Sequence, residues 1–266
     1  MIIHPTFLQL TPGWLVALFV FIFIIVFYHI GHAFQLRRKK NKPEFGINDS
    51  GKIAGALIGL LGFLLAFTFS MSNSRFDHRR QLVVEEANDI ATAFLRTKAY
   101  PDSLRQLLTP AFNAYLEERI AYSVGLLKTN DDLGILKAHW EKADSIGKSI
   151  WDIAVSLTKT TPYLVTSSQL LPELNAMIDI TTLRLAAGEE TVPDSIMFFL
   201  FVLAFAAAFV MGYENKGDVD WIILTAFSLM ISFTIFTIID LDRPRAGFIR
   251  MEGPIQKILD LRGTLK

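Results

Sequence analysis

The chain has 266 residues, 52% of them hydrophobic, and its 26 basic and 26 acidic side chains cancel. That balance leaves no global field to attract nucleic acid, and the absence of cysteine excludes disulfides, thiolate metal sites and cysteine nucleophiles. The apolar residues are gathered into four blocks near the two ends, and phenylalanine, with 22 copies, suits lipid-facing and helix-packing surfaces.

The first block predicts a membrane span over residues 12–34. Residues 5–36 carry no Lys, Arg, Asp or Glu, and roughly 20 apolar residues in a helix cross the hydrocarbon. Pro12 suits a first helical turn, while Trp14 and Tyr28 stand near the ends, where amphipathic rings favour the interface. No positive residue precedes the run, and it is too long for the apolar core of a signal peptide, so it is expected to remain as a span. His29 and His32 have the spacing of paired metal ligands, but no third ligand is evident nearby, and they are read as interfacial histidines.

Residues 35–52 read as a basic loop, with Arg37, Arg38, Lys39, Lys40, Lys42 and Lys52. The RRKK run has two readings, a topology signal and a site for anionic lipid headgroups; the first is favoured. Residues 53–71 form the second span. Gly51, Gly55 and Gly59 share one face with Gly62 close by, a spacing that lets another helix approach closely. The same face continues through Phe63, Phe67 and Ser70. It is either a glycine packing seam or the lining of an oligomer axis, in which the phenylalanine rings form a constriction that gates by dewetting.

No Gly or Pro separates this span from the charged segment after it, so one continuous helix is expected. From Asn73 the pattern is amphipathic. Phe76, Val83, Ala87, Ile90 and Phe94 form an apolar seam, and Arg75, Arg79, Glu85, Glu86 and Asp89 are assigned to the opposite, solvated face. Pro101 ends this helix and Asp102 opens another. Thr109-Pro110 reads as an N-cap and first helical residue. Leu133 to Lys159 is helical, with Leu136, Trp140, Ala143, Ile150, Ala154 and Leu157 on one stripe. Residues 160–168 read as a connector around Pro162, and Leu170 to Ala187 as a helix ended by Gly188. Period-2 alternation never lasts, so strands are not expected.

The third span covers residues 195–212 and the fourth 221–239, with the turn GYENKGDVD between them. Thr225, Ser228, Ser232, Thr234 and Thr237 line the fourth span with hydroxyls that bond across helices or back to the backbone. Residues 240–266 form a tail that opens with Asp240, Asp242, Arg243 and Arg245, read as an interfacial ion network.

The expected fold class is therefore an all-α membrane protein with four transmembrane helices. A helical domain, residues 72–194, is inserted between spans two and three and continues from the second span. Basic residues near the membrane tie in number between the two sides. The short RRKK loop leans to the cytoplasm, and the helical domain to the outside. No phosphate loop, nucleophile elbow or HExxH motif is present, and Glu85, Glu86 and Asp89 read as solvated charges rather than a catalytic carboxylate cluster. No enzyme, catalytic residue, cofactor or metal is expected.

The run GFLLAFTFSMSNSRFDHRRQLVVEEANDIATAFLR, with LPELNAMIDITTLR before the third span and IIDLDRPRAGFIR after the fourth, resembles the bestrophin-like membrane proteins of bacteria. That family of unassigned function is distantly similar to the bestrophin anion channels. The resemblance implies a multi-pass protein of the bacterial inner membrane, a pentameric homo-oligomer in the bilayer and small ions as cargo. By it, the helical domain lies in the cytoplasm, against the lean from charge. Phe63 and Phe67 would be the hydrophobic neck on the second span, with Ser70, Asn73, Arg75 and Arg79 as the polar stretch below. The chain departs from bestrophins in having no double tryptophan after that arginine and no dense acidic run in the tail, so calcium gating is not implied. The alternative to a channel is a membrane-anchored helical interaction or sensory module without conduction.

Overall fold

In a computed structural model, the structure describes residues 11–41, 50–127, 133–243, 249 and 251–264. Every regular element among them is helical: α1 (Gly13–Asn41), α2 (Ser50–Thr97), α3 (Asp102–Leu126), α4 (Leu133–Thr158), a 3-10 turn (Thr161–Tyr163), α5 (Leu164–Glu189), α6 (Asp194–Glu214), α7 (Trp221–Asp242) and α8 (Glu252–Thr264). Four helical stretches, within α1, α2, α6 and α7, are long and apolar enough to cross a membrane. The protein is thus an all-α membrane protein. The chain divides into two compact units, residues 1–74 with 191–247, and residues 75–190 with 248–266.

In the first unit, α1 packs on α6 and α7. Val16, Val20, Ile24 and Tyr28 of α1 form one stripe, buried with Leu200, Ala204, Ala207 and Ala208 of α6, Ile231, Ile235 and Ile238 of α7, and Leu61 and Leu65 of α2. The α1–α6 contact is a backbone contact. A Cβ on Gly31 would sit 2.0 Å from the Phe209 carbonyl oxygen, and one on Gly212 2.0 Å from that of Tyr28. Helices in lipid gain little from hydrophobic exclusion, so approach through small residues is what joins them.

The α6–α7 turn is closed by side chains. Asn215 Nδ2 donates to Tyr28 Oη at 2.8 Å and to the Asp218 carbonyl at 3.0 Å, while its Oδ1 accepts from Gly217 N at 3.0 Å. Asp220 caps α7, accepting from the backbone nitrogens of Ile222 and Ile223 at 3.0 and 3.1 Å. The hydroxyls of Ser228, Thr234 and Thr237 donate to carbonyls four residues back in α7, not to another helix. α1 extends through Asn41, so Arg37 and Arg38 stand on a helix end rather than in a loop. Residues 42–49 lie outside the described residues.

In the second unit the apolar seam of α2 is buried: Phe76, Val83, Ala87, Ile90 and Phe94 are all under 9% exposed. It shares the interior with Leu108, Phe112, Leu116 and Ile120 of α3, Ala143, Ile150 and Ala154 of α4, and Leu170, Leu174 and Met177 of α5. Two expected helix starts are corrected. Thr109-Pro110 does not open a helix, because α3 begins at Asp102 and carries Pro110 inside it. α5 begins at Leu164, not Leu170, and carries Pro172. A proline inside a helix costs about 3 kcal/mol. Leu108 and Phe112 beside Pro110, and Leu170 and Leu174 beside Pro172, are fully enclosed, and burial of two such side chains offsets that cost at about 1.5–3 kcal/mol each. α8 lays Pro254, Ile255, Ile258 and Leu261 into the same unit, where Arg262 Nε and Nη2 grip the Glu117 carboxylate at 2.8 and 2.5 Å.

Candidate functional site

Helix α2 carries the candidate neck. Its glycines face open space: a Cβ at Gly55, Gly59 or Gly62 would meet no atom within 4 Å. The surroundings of Gly51 lie outside the described residues. Phe63 is 67% exposed and Phe67 57%, and Ser70 and Asn73 are also exposed. Fully apolar rings left this open are the reverse of the stripe on the same helix at Leu61 and Leu65, which is enclosed.

The arginines do not continue this face. Arg75 is half-buried. Arg79 is 5% exposed, with Nε directed to the Arg75 carbonyl at 3.4 Å. Helical phase accounts for it: at about 100° per residue, position 79 is turned by about 160° from position 63, against about 80° for position 73. In the second unit the open side of α2 instead lines a groove of about 480 Å³ with Asp77, Arg80, Gln81, Val84, Glu85 and Asn88, closed at one edge by Pro254.

The assignment of Glu86 to a solvated face is corrected. It is fully buried, as is Arg119, and Arg184 is 8% exposed. One carboxylate oxygen accepts from Arg119 Nε of α3 and the other from Arg184 Nη1 of α5. Arg184 also donates to Ser123 Oγ at 3.3 Å. The Tyr122 ring lies against both guanidiniums, 4.8 Å from Arg119 Cζ and 5.8 Å from Arg184 Cζ, where its π-face offsets the second positive charge. Burial alone would raise the Glu86 pKa. The two arginines outweigh it and hold the carboxyl at about 2, below its ordinary 4.5. The same attraction, acting against burial, holds the Arg119 pKa above its ordinary value. The signal was present in the spacing: Glu86 stands four residues after Leu82 and four before Ile90, on the buried stripe. A charge in that register, with Arg119 between Tyr115 and Tyr122, marks an interior ion cluster.

Two residues of the candidate ion network after the fourth span are tied to backbone. Asp242 Oδ2 accepts from Val192 N at 2.9 Å, and Arg243 Nη1 donates to the Thr11 carbonyl at 2.6 Å. Asp240 is 6% exposed, and Arg245 lies outside the described residues. His32 Nδ1 is 3.2 Å from the Asn215 carbonyl, and the His29 ring lies 5.2 Å from that of Trp221. Among the described residues no group of three or more His, Asp or Glu side chains is arranged to hold a metal ion.

Similarity to solved structures follows this architecture. A mutant of a bacterial Bestrophin homolog from Klebsiella pneumoniae matches with a TM-score of 0.67 at 14% identity, over 96% of this chain and 97% of that one. The same homolog, phased by Zn-SAD, matches with a TM-score of 0.63 at 14% identity, over 92% and 98%. A variant described as a membrane protein matches with a TM-score of 0.64 at 15% identity, over 92% and 98%. At these identities the likeness is one of fold. None of the curated proteins matches the sequence. The family model described as Bestrophin-like domain matches residues 13–252, nearly the whole length over which the helices above are laid out, and the chain belongs to that family.

Proposed function

We propose that the chain is one subunit of a homo-oligomeric ion channel in the bacterial inner membrane. By family resemblance the assembly in this reading is a pentamer passing an anion, with α2 facing a shared axis and Phe63 and Phe67 forming an apolar neck. One observation carries the reading: on α2 the small-residue face and the phenylalanine face are both left open by their own chain, with nothing within 4 Å of a Cβ at Gly55, Gly59 or Gly62 and with Phe63 67% exposed. Glycines at that spacing invite a close helical neighbour, and rings at a constriction gate by shedding water. Ser70 and Asn73 supply hydroxyl and amide groups where ions regain a polar surface. Arg79, turned away from this face, is left out of the lining, and Arg75 stands at its margin.

The test is in two steps. Mass photometry or cryo-EM class averages of the detergent-purified protein are expected to show a closed ring with α2 at its centre. Flux from proteoliposomes is then expected, with Phe63→Ala and Phe67→Ala each raising it, and the reversal potential in a KCl gradient reads the sign of the ion. A monomer or open dimer, or a current indifferent to both substitutions, sinks the reading. The function would then pass to the second unit, as a membrane-anchored interaction module.

A further inference from the structure

One face of α1 and α6 carries a feature the channel reading does not use. Phe27 of α1 and Val202, Phe205, Ala206, Phe209 and Val210 of α6 line an open groove of about 320 Å³. Every side chain is apolar, and the groove lies on stretches of α1 and α6 that are long and apolar enough to span the membrane. Its wall is built of rings: Phe27 stacks on Phe205 at 5.2 Å between centroids, with Phe23 at 5.6 Å from the same ring.

The groove has a polar end. One helical turn beyond Phe209, Tyr213 stacks on it at 6.4 Å. Arg38 of α1 then covers the tyrosine: its Cζ is 5.9 Å from the ring centroid, and its Nη1 donates to the Tyr213 hydroxyl. Phe34, one turn before Arg38, lies 6.0 Å from Phe209. The rungs therefore run from apolar rings to a phenol and then to a guanidinium. Arg38 is exposed, with exposed Arg37 beside it on the same helix end. A helix C-terminus steadies such cations. The neighbouring Glu214, one residue on in α6, is half-buried.

We infer that this face is a binding site for an anionic membrane phospholipid, one acyl chain lying in the Phe27–Phe205–Phe209 groove and the headgroup phosphate held by Arg38. The acyl chain fits a groove without polar atoms on a membrane-facing surface. The phosphate fits an arginine whose fork matches its oxygens and which the Tyr213 hydroxyl already orients. Tyrosine and arginine at that depth are the side chains that keep an apolar stem in the hydrocarbon and a polar tip at the headgroups. The site joins a chain contact and a charge contact, which a general attraction of the Arg37–Lys40 run to an anionic surface does not.

Native mass spectrometry of the full chain, released from detergent with equimolar phosphatidylglycerol and phosphatidylcholine, tests this. The unmodified protein is expected to retain phosphatidylglycerol preferentially. Arg38→Gln is expected to reduce that preference about fivefold, the scale of one basic side chain at an anionic headgroup, and Tyr213→Phe by less. Ala206→Phe, which fills the groove and leaves the charge, is expected to lower retention of both lipids with their ratio unchanged. An excess of glycerol 1-phosphate is expected to leave the lipid bound. The site is overturned if Arg38→Gln leaves the ratio unchanged, or if glycerol 1-phosphate displaces the lipid. It is also overturned if Ala206→Phe alters the oligomeric state while lipid retention stays the same, which would make the groove a contact between copies.

Discussion

The two units hold their helices together by opposite means. In the first, α1 and α6 meet backbone to backbone at Gly31 and Gly212, and an apolar cluster fills the space between the helices. In the second, α2, α3 and α5 are pinned around a buried carboxylate and two guanidiniums. Helix α2 supplies residues to both, Leu61 and Leu65 to one and Glu86 to the other. In lipid there is little hydrophobic drive to bring helices together, so contact depends on how closely their backbones fit. In the second unit the apolar seams drive collapse, and an interior ion cluster adds directional bonds that fix which helices meet.

The contrast is sharpest at the glycines. Gly31→Val or Gly212→Val places carbon atoms at 2.0 Å from a carbonyl oxygen. It is expected to abolish the folded first unit, read as loss of a monodisperse peak and of any cooperative melt in detergent. Should either variant melt like the unmodified protein, the helices are not in backbone contact.

The next largest effect is expected in the second unit. Glu86→Gln leaves two arginines buried against a neutral amide and is expected to cost about 3–5 kcal/mol, read by thermal or denaturant unfolding. The conjoint replacement Glu86→Leu, Arg119→Met and Arg184→Leu is expected to recover most of that loss, since removing every charge leaves none unpaired. The Glu86 carboxyl has a folded-state pKa of about 2 against 4.5. Its stabilisation is therefore complete above about pH 4.5 and lost as the pH falls towards about 2. Glu86→Gln is expected to flatten the stability profile across that window, and an unchanged slope would show that the carboxylate is not held as described.

Arg262→Ala removes the grip on Glu117, where both side chains are about half exposed. It is expected to cost about 0.2–1 kcal/mol and to fade with added salt. The smallest change belongs to the open glycines. Gly59→Ala meets nothing within 4 Å in its own chain. In a dissociated protomer it is expected to be neutral or stabilising by up to about 1 kcal/mol, through helix propensity alone. Loss of the oligomer in the same variant would identify Gly59 as a contact between copies, and the pair of measurements separates the two kinds of glycine.

Much of the architecture was legible along the chain. Uninterrupted apolar runs mark the spans, and the three- and four-residue recurrence of Phe76, Val83, Ala87, Ile90 and Phe94 marks the seam that is buried. Both signals are local: a membrane's thickness and a helix's period are written into consecutive residues. Phase arithmetic also separates Arg79 from the phenylalanine face, and it places Glu86 on the buried stripe once charge is not taken as proof of exposure.

What the chain alone determined is therefore its all-helical character, its four apolar spans and the seam of α2, because each depends on residues within one or two turns of each other. Only the tertiary structure decided which partners those helices meet. It chose Gly31 and Gly212 over Gly55 and Gly59 as the close contacts within the chain. It enclosed Glu86 between Arg119 and Arg184, 33 and 98 positions away. It also carried α3 and α5 through their prolines by enclosing the leucines and phenylalanine beside them. Each of these outcomes depends on atoms supplied by a helix distant in sequence, and the free energy of burial there outweighs the local preference of the residue concerned.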